Sequence, residues 1–394
     1  MKSLQLDFKR KLLLILIILS STIIYSQSEE KESKIHINGY IKSLQGLFDF
    51  SLAPGQPRQT ITDNFLHHRL NLDYYISDNI TFKSGLRTRL FFGEFSRIQP
   101  GYGNLLTEGG NDVINMTLIN SGQNILLHSI VDRAYLEYTK ENLEVRLGRQ
   151  RINWGINTLW NPNDLFNAYS FTDFDYAERP GSDALRVRYF IGFAGSIEFA
   201  IKAFKDTNEI VAVGLYKFNK NNYDYQILAG WSGKDVVLGG GWAGSISDVG
   251  FKGEFSWFNS TSDEVDNAFA ITSSFDYSLG NGTYFIGGLL FNDSSNNQSN
   301  SNIFSFDLSA RNLYPYKWST FIQTTIPITP LINGGFAFIY SPVESRPIFL
   351  SPTLSYSIAN NLDVDLVGQL VLQDGANGYG SQANVFYLRM KWSY

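Results

Sequence analysis

The last nine residues, Phe386-Tyr-Leu-Arg-Met-Lys-Trp-Ser-Tyr394, put an apolar or aromatic side chain at every second position. Strand side chains alternate between faces, so Phe386, Leu388, Met390, Trp392 and Tyr394 point one way while Tyr387, Arg389, Lys391 and Ser393 point the other. One face suits an apolar medium and the other suits water. Such a strand fits a sheet that is wet on one side only.

The same dyad repeat recurs along the chain. Leu362, Val364, Leu366, Leu370 and Leu372 share a face opposite Asp363, Asp365 and Gln369. Leu66, Leu70, Leu72, Tyr74 and Ile76 oppose His67, Arg69, Asn71, Asp73 and Tyr75. Charge along a whole face argues against a dry sandwich core. A soluble β-sandwich or propeller also alternates, but it rarely repeats Tyr, Trp and Phe at strand ends so persistently.

Residues 1–26 read as an export signal, with Lys2, Lys9, Arg10 and Lys11 before the apolar run from Leu12 to Leu19. The run is shorter than the roughly 20 apolar residues a membrane helix needs. Residues 27–394 then form one domain, because no proline-rich, serine-rich or charged linker divides them. Only about seven residues separate the expected cleavage site from the first strand, which leaves no room there for a plug domain. The net charge of -5 disfavours nucleic acid as a partner. Zero cysteines remove disulfides, thiolate metal sites and a cysteine nucleophile. Beyond the signal no window is apolar enough for a membrane helix, so any membrane crossing must be made by strands.

Very short polar joints alternate with longer ones. Ser77-Asp78-Asn79, Lys140-Glu141-Asn142, Asn219 to Asn222, Ser247-Asp248, Gly280-Asn281-Gly282, Thr329-Pro330 and Ala359-Asn360-Asn361 carry hairpin-turn residues. Longer joints fall near 51–63, 95–126, 155–182, 260–266, 293–313 and 374–382. Between them lie strands near 34–50, 64–76, 80–94, 127–139, 143–153 and 183–191, and onward in the same rhythm to 362–373 and 383–394. The pattern predicts an all-β fold: a transmembrane antiparallel β-barrel of about 18 strands, with 16 to 20 as the range. Short turns would be periplasmic and long loops extracellular, with both termini in the periplasm. The terminal strand resembles the closing strand of bacterial outer-membrane barrels, by which the barrel-assembly machinery recognises its clients. That likeness implies an outer-membrane location in a Gram-negative bacterium, among lipid and lipopolysaccharide.

On the polar face, Arg69, Lys83, Arg87, Arg89, Arg133, Arg146, Arg186 and Arg188 come from the second to sixth strands. They form one contiguous wall, and with Arg149 and Arg151 are read as pore-lining. Arginines along a water-filled bore attract anions. The alternative is a ladder of cross-strand ion pairs with Asp73, Glu137 and Glu144 that stiffens the wall.

The densest motif is Leu147-Gly-Arg-Gln-Arg-Ile-Asn-Trp-Gly155, followed by Trp160-Asn-Pro-Asn-Asp-Leu-Phe166. Here, and at Leu350 to Ser357 with its turn at Asn360-Asn361, the chain resembles Gram-negative outer-membrane porin-like barrels related to the alginate-export type. The resemblance implies a channel and no catalytic residues. Physically, the joint from Gly155 to Ser182 holds too much apolar surface to float in water. Trp154, Trp160, Asn161, Pro162, Asp164 and Phe166 are therefore read as a constriction loop folded into or over the mouth. Packing on the rim or against residues 95–126 is the alternative.

Enzymatic readings are weak. His36, His67, His68 and His128 have no metal-ligand spacing, and adjacent strand residues such as His128 and Ser129 point apart. Asp164 with Asn161 and Asn163 could hold Ca²⁺, although no metal site is assigned. Gly239-Gly240-Gly241 lacks the lysine and helix of a phosphate loop and reads as strand packing or a kink. No cofactor is expected. Barrels of 16 to 18 strands leave an aqueous bore, so the expected function is passive diffusion of small hydrophilic, in part anionic, solutes. A non-conducting scaffold or adhesin plugged by its loops is the second reading. A homo-oligomer and a monomer fit the sequence equally.

Overall fold

The computed structural model describes residues 33–51, 57–98, 102, 113–122, 125–167, 175, 181–203, 209–263, 265–295, 308–375 and 378–394. The predicted signal segment, residues 1–26, lies outside these. Most of the described residues belong to one antiparallel sheet. Its first strands are β1 (Ile35–Phe50), β2 (Gln59–Ser77), β3 (Ile80–Gly93), β4 (Thr117–Ser121), β5 (Ile125–Lys140), β6 (Leu143–Gln150) and β7 (Ser182–Ile191). Then come β8 (Gly195–Lys202), β9 (Val211–Lys220), β10 (Tyr223–Ser232), β11 (Asp235–Ile246), β12 (Val249–Ser260) and β13 (Ala268–Ser278). The last are β14 (Tyr284–Asn292), β15 (Trp318–Thr329), β16 (Ile332–Tyr340), β17 (Ile348–Ala359), β18 (Leu362–Gly375) and β19 (Gly378–Ser393). One short helix, α1 (Phe95–Ile98), follows β3.

Each long strand pairs with its sequence neighbours, and β1 pairs with β19 from Tyr40 opposite Ser393 to Phe50 opposite Ala383. The sheet therefore closes into an 18-strand barrel. Tyr394 fastens the seam: its backbone exchanges hydrogen bonds with Gly39 at 3.0 Å in both directions. Its phenol then lies across Gly39 to meet His68 Nε2 at 2.8 Å on β2. A side chain at Gly39 would stand 2.7 Å from that hydroxyl.

Short joints adopt the predicted hairpin chemistry. Glu141, Asn221, Asn222, Ser247 and Asn361 all take positive φ, between 51° and 68°, the left-handed geometry that tight turns between twisted strands require. The outer face is apolar around the wall: Leu66, Leu147, Ile227, Leu289, Ile322, Leu366 and Phe386 are all exposed. Along β19 the exposed series is Phe386, Leu388, Met390, Trp392 and Tyr394. Arg389, on the opposite parity, pairs with Asp365 at 2.9 Å.

Three details depart from the predicted layout. The longer joint expected near 374–382 is taken up by paired strands, β18 running to Gly375 and β19 starting at Gly378 with Asp374 opposite Tyr379. The expected joint 95–126 contains a strand of its own, β4, which pairs with β5 from Thr117 opposite Ile130 to Ser121 opposite Leu126. It extends the wall above β6, whose own pairing with β5 stops at Arg149 opposite Ala134. The fifth wall strand also ends earlier than the predicted residue 153: β6 stops at Gln150, just after Gly148 at φ 120°. From Arg151 the chain leaves the wall.

Candidate functional site

Residues 152–167 pack against the inner wall of the barrel, where nearly every side chain of consequence is buried. Trp154 is 1% exposed, Trp160 2%, Asn163 0% and Asp164 2%; Asn161, Pro162 and Phe166 are buried as well. The sheet supplies both polar anchors and apolar sockets.

The polar anchor is Glu254 on β12, fully buried. Its Oε1 accepts the backbone N–H of Ile156 at 3.2 Å and of Asn157 at 3.0 Å, and its Oε2 accepts that of Asn163 at 3.2 Å. One carboxylate thus gathers two turns of the loop, satisfying donors that have no partner in a strand ladder. Around it, Ser274 donates to Asn157 Oδ1 at 2.6 Å, Ser256 donates to Asn163 Oδ1 at 2.8 Å, and Asn163 Nδ2 donates to the Gly240 carbonyl at 2.9 Å.

The close approach explains the triple glycine on β11. A Cβ on Gly239 would stand 2.7 Å from Asn163 Oδ1, and one on Gly241 2.7 Å from Ile156 Cδ1. Both positions face the bore and must be bare for the loop to reach the backbone. Gly239-Gly240-Gly241 is therefore a seat for the loop, in line with the strand-packing reading of the sequence.

Glu198 on β8 is the second anchor, 1% exposed. It accepts Trp154 Nε1 at 2.5 Å, Arg186 Nε at 2.6 Å and Arg188 Nε at 2.7 Å. Trp154 meets Phe166 edge to face at 4.9 Å, inside a cluster with Val213, Leu215, Leu228 and Phe258. Trp160 reaches further round the wall, edge to face with Phe321 at 5.5 Å and 5.6 Å from Tyr314. Burial pushes the Tyr316 phenol up to about 12 and holds the Tyr314 phenol well above its ordinary value, so both rings stay uncharged at ordinary pH. Asp175, later in the same joint, pairs with Lys42 at 2.7 Å and Arg389 at 3.3 Å on β1 and β19.

The predicted basic residues divide into groups. Arg69 is buried and ion-paired to Asp132. Arg146 bridges Glu137 at 2.6 Å and Glu144 at 3.2 Å, and Lys83 stands 3.5 Å from Glu137. Arg186 and Arg188 share Glu198. Arg87 lies opposite Arg69 in the β2–β3 register, and Arg89 opposite His67. Arg89 also lies 3.4 Å from His128 Nδ1. Arg133 donates to the Asp132 carbonyl at 2.8 Å. Arg149 stands apart: it shares the parity of exposed Leu147, pairs with Asp183 at 2.8 Å, and donates to the Ile114 carbonyl at 2.5 Å. The structure thus places Arg149 in a seam between β6, β7 and the segment before β4, away from the bore-facing series. Arg151 is exposed just past the end of β6.

Sequence reasoning did not single out Glu198, Glu254 or Asp175 as loop anchors. The available signal was a glutamate on the polar face of a strand, level with a glycine-rich neighbour. Ser129, adjacent to His128, exchanges a hydrogen bond with Thr88 at 2.9 Å.

No protein-family model matches the sequence, and no curated protein sequence matches it. Solved structures do match in fold. The crystal structure of Pseudomonas aeruginosa OpdQ aligns with TM-score 0.58 and 9% identity over 91% of this chain and 97% of that one. Acinetobacter baumannii OccAB4 gives 0.55 and 8% over 93% and 100%, and Pseudomonas aeruginosa OccK7 (OpdD) gives 0.56 and 9% over 91% and 99%. At these identities the likeness is one of barrel architecture.

Proposed function

We propose that the protein is an outer-membrane channel for passive diffusion of small hydrophilic solutes, with a preference for anions. The observation that carries this reading is the pairing of two faces on one closed 18-strand sheet: apolar side chains exposed outward, charged ones inward. A wall of this circumference encloses more space than its own side chains fill. Segment 152–167 takes up part of that space and is proposed as the constriction. On β2 to β7 bases outnumber acids, which favours anions in a low-dielectric bore. Pairs such as Arg146 with Glu137 stiffen the same wall, so ladder and filter coexist.

The proposal carries with it a Gram-negative outer-membrane location, contact with lipid and lipopolysaccharide, assembly by the barrel-assembly machinery and no enzymatic activity. The motifs around Gly148-Arg149-Gln150 and Asn161-Pro162 support a narrower kinship with alginate-export-type barrels. A second reading, a non-conducting scaffold or adhesin, is favoured by one observation: the loop buries two tryptophans inside the barrel. Planar-bilayer recording separates the two. Stable ohmic steps with an anion-selective reversal potential in a salt gradient support the channel, and inserted protein without steps supports the scaffold.

A further inference from the structure

On β1 the outward parity runs Ile41, Ser43, Gln45, Leu47, while Tyr40, Lys42 and Leu44 between them are buried on the bore side. At the short-turn end Ile41 lies opposite the aromatic Trp392. At the long-loop end Asp49 lies opposite Asn384 and pairs with Arg58 at 2.9 Å. Gln45 is exposed midway between Ile41 and Asp49, opposite Leu388. Half of that stretch, on a strand tilted by roughly 40°, covers about 10 Å of depth, so the Gln45 amide reaches neither end of an apolar band about 25 Å tall. Its Nε2 donates to Ser43 Oγ at 3.0 Å, and its Oε1 accepts no hydrogen bond among the described residues.

A second outward polar row continues onto the next strands. His68 on β2 lies opposite Thr88 on β3, and Thr88 opposite Ser129 on β5, with the two hydroxyls 2.9 Å apart. These three point away from the bore, because His67, Arg87 and His128 beside them are buried on its side of the wall. Apolar rows border them, Leu66, Leu90 and Leu127 above and Leu70, Leu86 and Val131 below. An amide or hydroxyl turned to hydrocarbon without its full set of partners is costly. Neither a lipid headgroup nor a soluble protein reaches this depth. What does reach it is another membrane-spanning wall, and in the outer membrane such a wall is made of strands.

We propose that the outer face of β1, β2, β3 and β5 is a subunit interface between two copies of this chain, centred on Gln45. With His68 neutral the patch carries no charge and mixes donors with acceptors, so it complements itself. Both copies insert the same way up, so the twofold axis runs along the membrane normal and each residue meets its mate at its own depth. Beside that axis one Gln45 amide donates to the other's Oε1 and accepts in return, which satisfies the oxygen that a single barrel leaves bare. Polar side chains of this kind act as glue between membrane-embedded faces that gain little from apolar contact alone. The interface needs the barrel to sit in a membrane and is indifferent to whether the bore conducts.

The chain has no cysteine, so a single introduced thiol reports its own surroundings. Gln45→Cys, oxidised with copper phenanthroline in outer-membrane vesicles, should run as a disulfide-linked dimer on gels. Ile227→Cys, at an exposed position on β10 across the barrel, should stay monomeric. Analytical ultracentrifugation of the full-length protein in detergent should find a dimer. Gln45→Leu and Gln45→Met each lose both amide hydrogen bonds, and at about three-fold or more per bond between membrane faces they should weaken it roughly seven-fold or more. Both variants place an apolar side chain on the lipid face, and the fast-migrating band on unheated gels shows that their barrels are folded. A monomer or a trimer at every concentration, no cross-link from Gln45→Cys, equal cross-linking from Ile227→Cys, or a dimer that folded Gln45→Leu and Gln45→Met leave as tight as before overturns the proposal.

Discussion

Glu254→Gln tests whether the loop is held by the carboxylate. The side chain keeps its shape, but one oxygen becomes an NH₂ group. The best remaining arrangement leaves the carbonyl oxygen on Ile156 and Asn157 and turns the new donor toward the Asn163 N–H, now 3.2 Å from Oε2. One charge-assisted hydrogen bond, about 1.5–3 kcal/mol, is lost, and a buried donor left without an acceptor costs about 1–3 kcal/mol more. The combined loss of about 2.5–6 kcal/mol raises the undocked population by about sixty-fold or more, at roughly 1.4 kcal/mol per decade. Hydrogen exchange on the detergent-solubilised protein reads this without assuming conduction. Amides from Ile156 to Asn163 should exchange faster by about that factor, while β12 and β13 keep their protection. Single-channel recordings should show larger and noisier steps. Unchanged exchange at Asn157 and Asn163 would refute the clamp.

Four further outcomes follow from the same contacts. Gly239→Val puts methyl groups where Asn163 Oδ1 and Ser256 Oγ lie, at 2.7 and 2.9 Å from the Cβ position, and should expose residues 156–163 to limited proteolysis. Trp160→Ala removes a buried indole seated on Phe321 and Tyr314; a loss of about 3–5 kcal/mol of docking energy should appear as a larger conductance. Gly39→Val crowds Tyr394 across the β1–β19 seam and should lower the temperature at which the barrel loses its fast-migrating form on gels. Arg146→Ala should move the reversal potential toward cations, whereas Arg149→Ala should leave it unchanged and speed exchange at Ile114, whose carbonyl it holds.

The barrel was legible because period-two alternation is a local property. Each strand declares its own faces, and turn residues such as Asn221, Asn222 and Asn361 declare where it reverses. Even the closing strand could be assigned from Phe386 to Tyr394, because nothing distant alters its parity. The loop was legible only as a surplus of apolar surface: Trp154, Trp160 and Phe166 signal that the segment must be covered, without saying by what. Its anchors come from strands 44 residues away at Glu198 and 91 to 98 away at Glu254, and Glu254 resembles any other polar-face residue until the fold brings Asn157 and Asn163 to it. Arg149 shows the opposite limit. Its motif suggested the bore, but parity along β6, set by Leu147 on the outer face and Gln150 on the inner, turns it into a wall seam. The β4 segment escaped notice because a five-residue strand inside a long joint has too few alternations to stand out.

The central claim is that this wall encloses a conducting, anion-preferring bore. Purified protein reconstituted into a planar bilayer under a tenfold KCl gradient tests it in one experiment. Discrete ohmic steps whose reversal potential has the sign of chloride selectivity, shifting toward zero in Arg146→Ala, are the predicted result. Protein shown to be inserted that carries no current, or current that prefers potassium, would contradict the account.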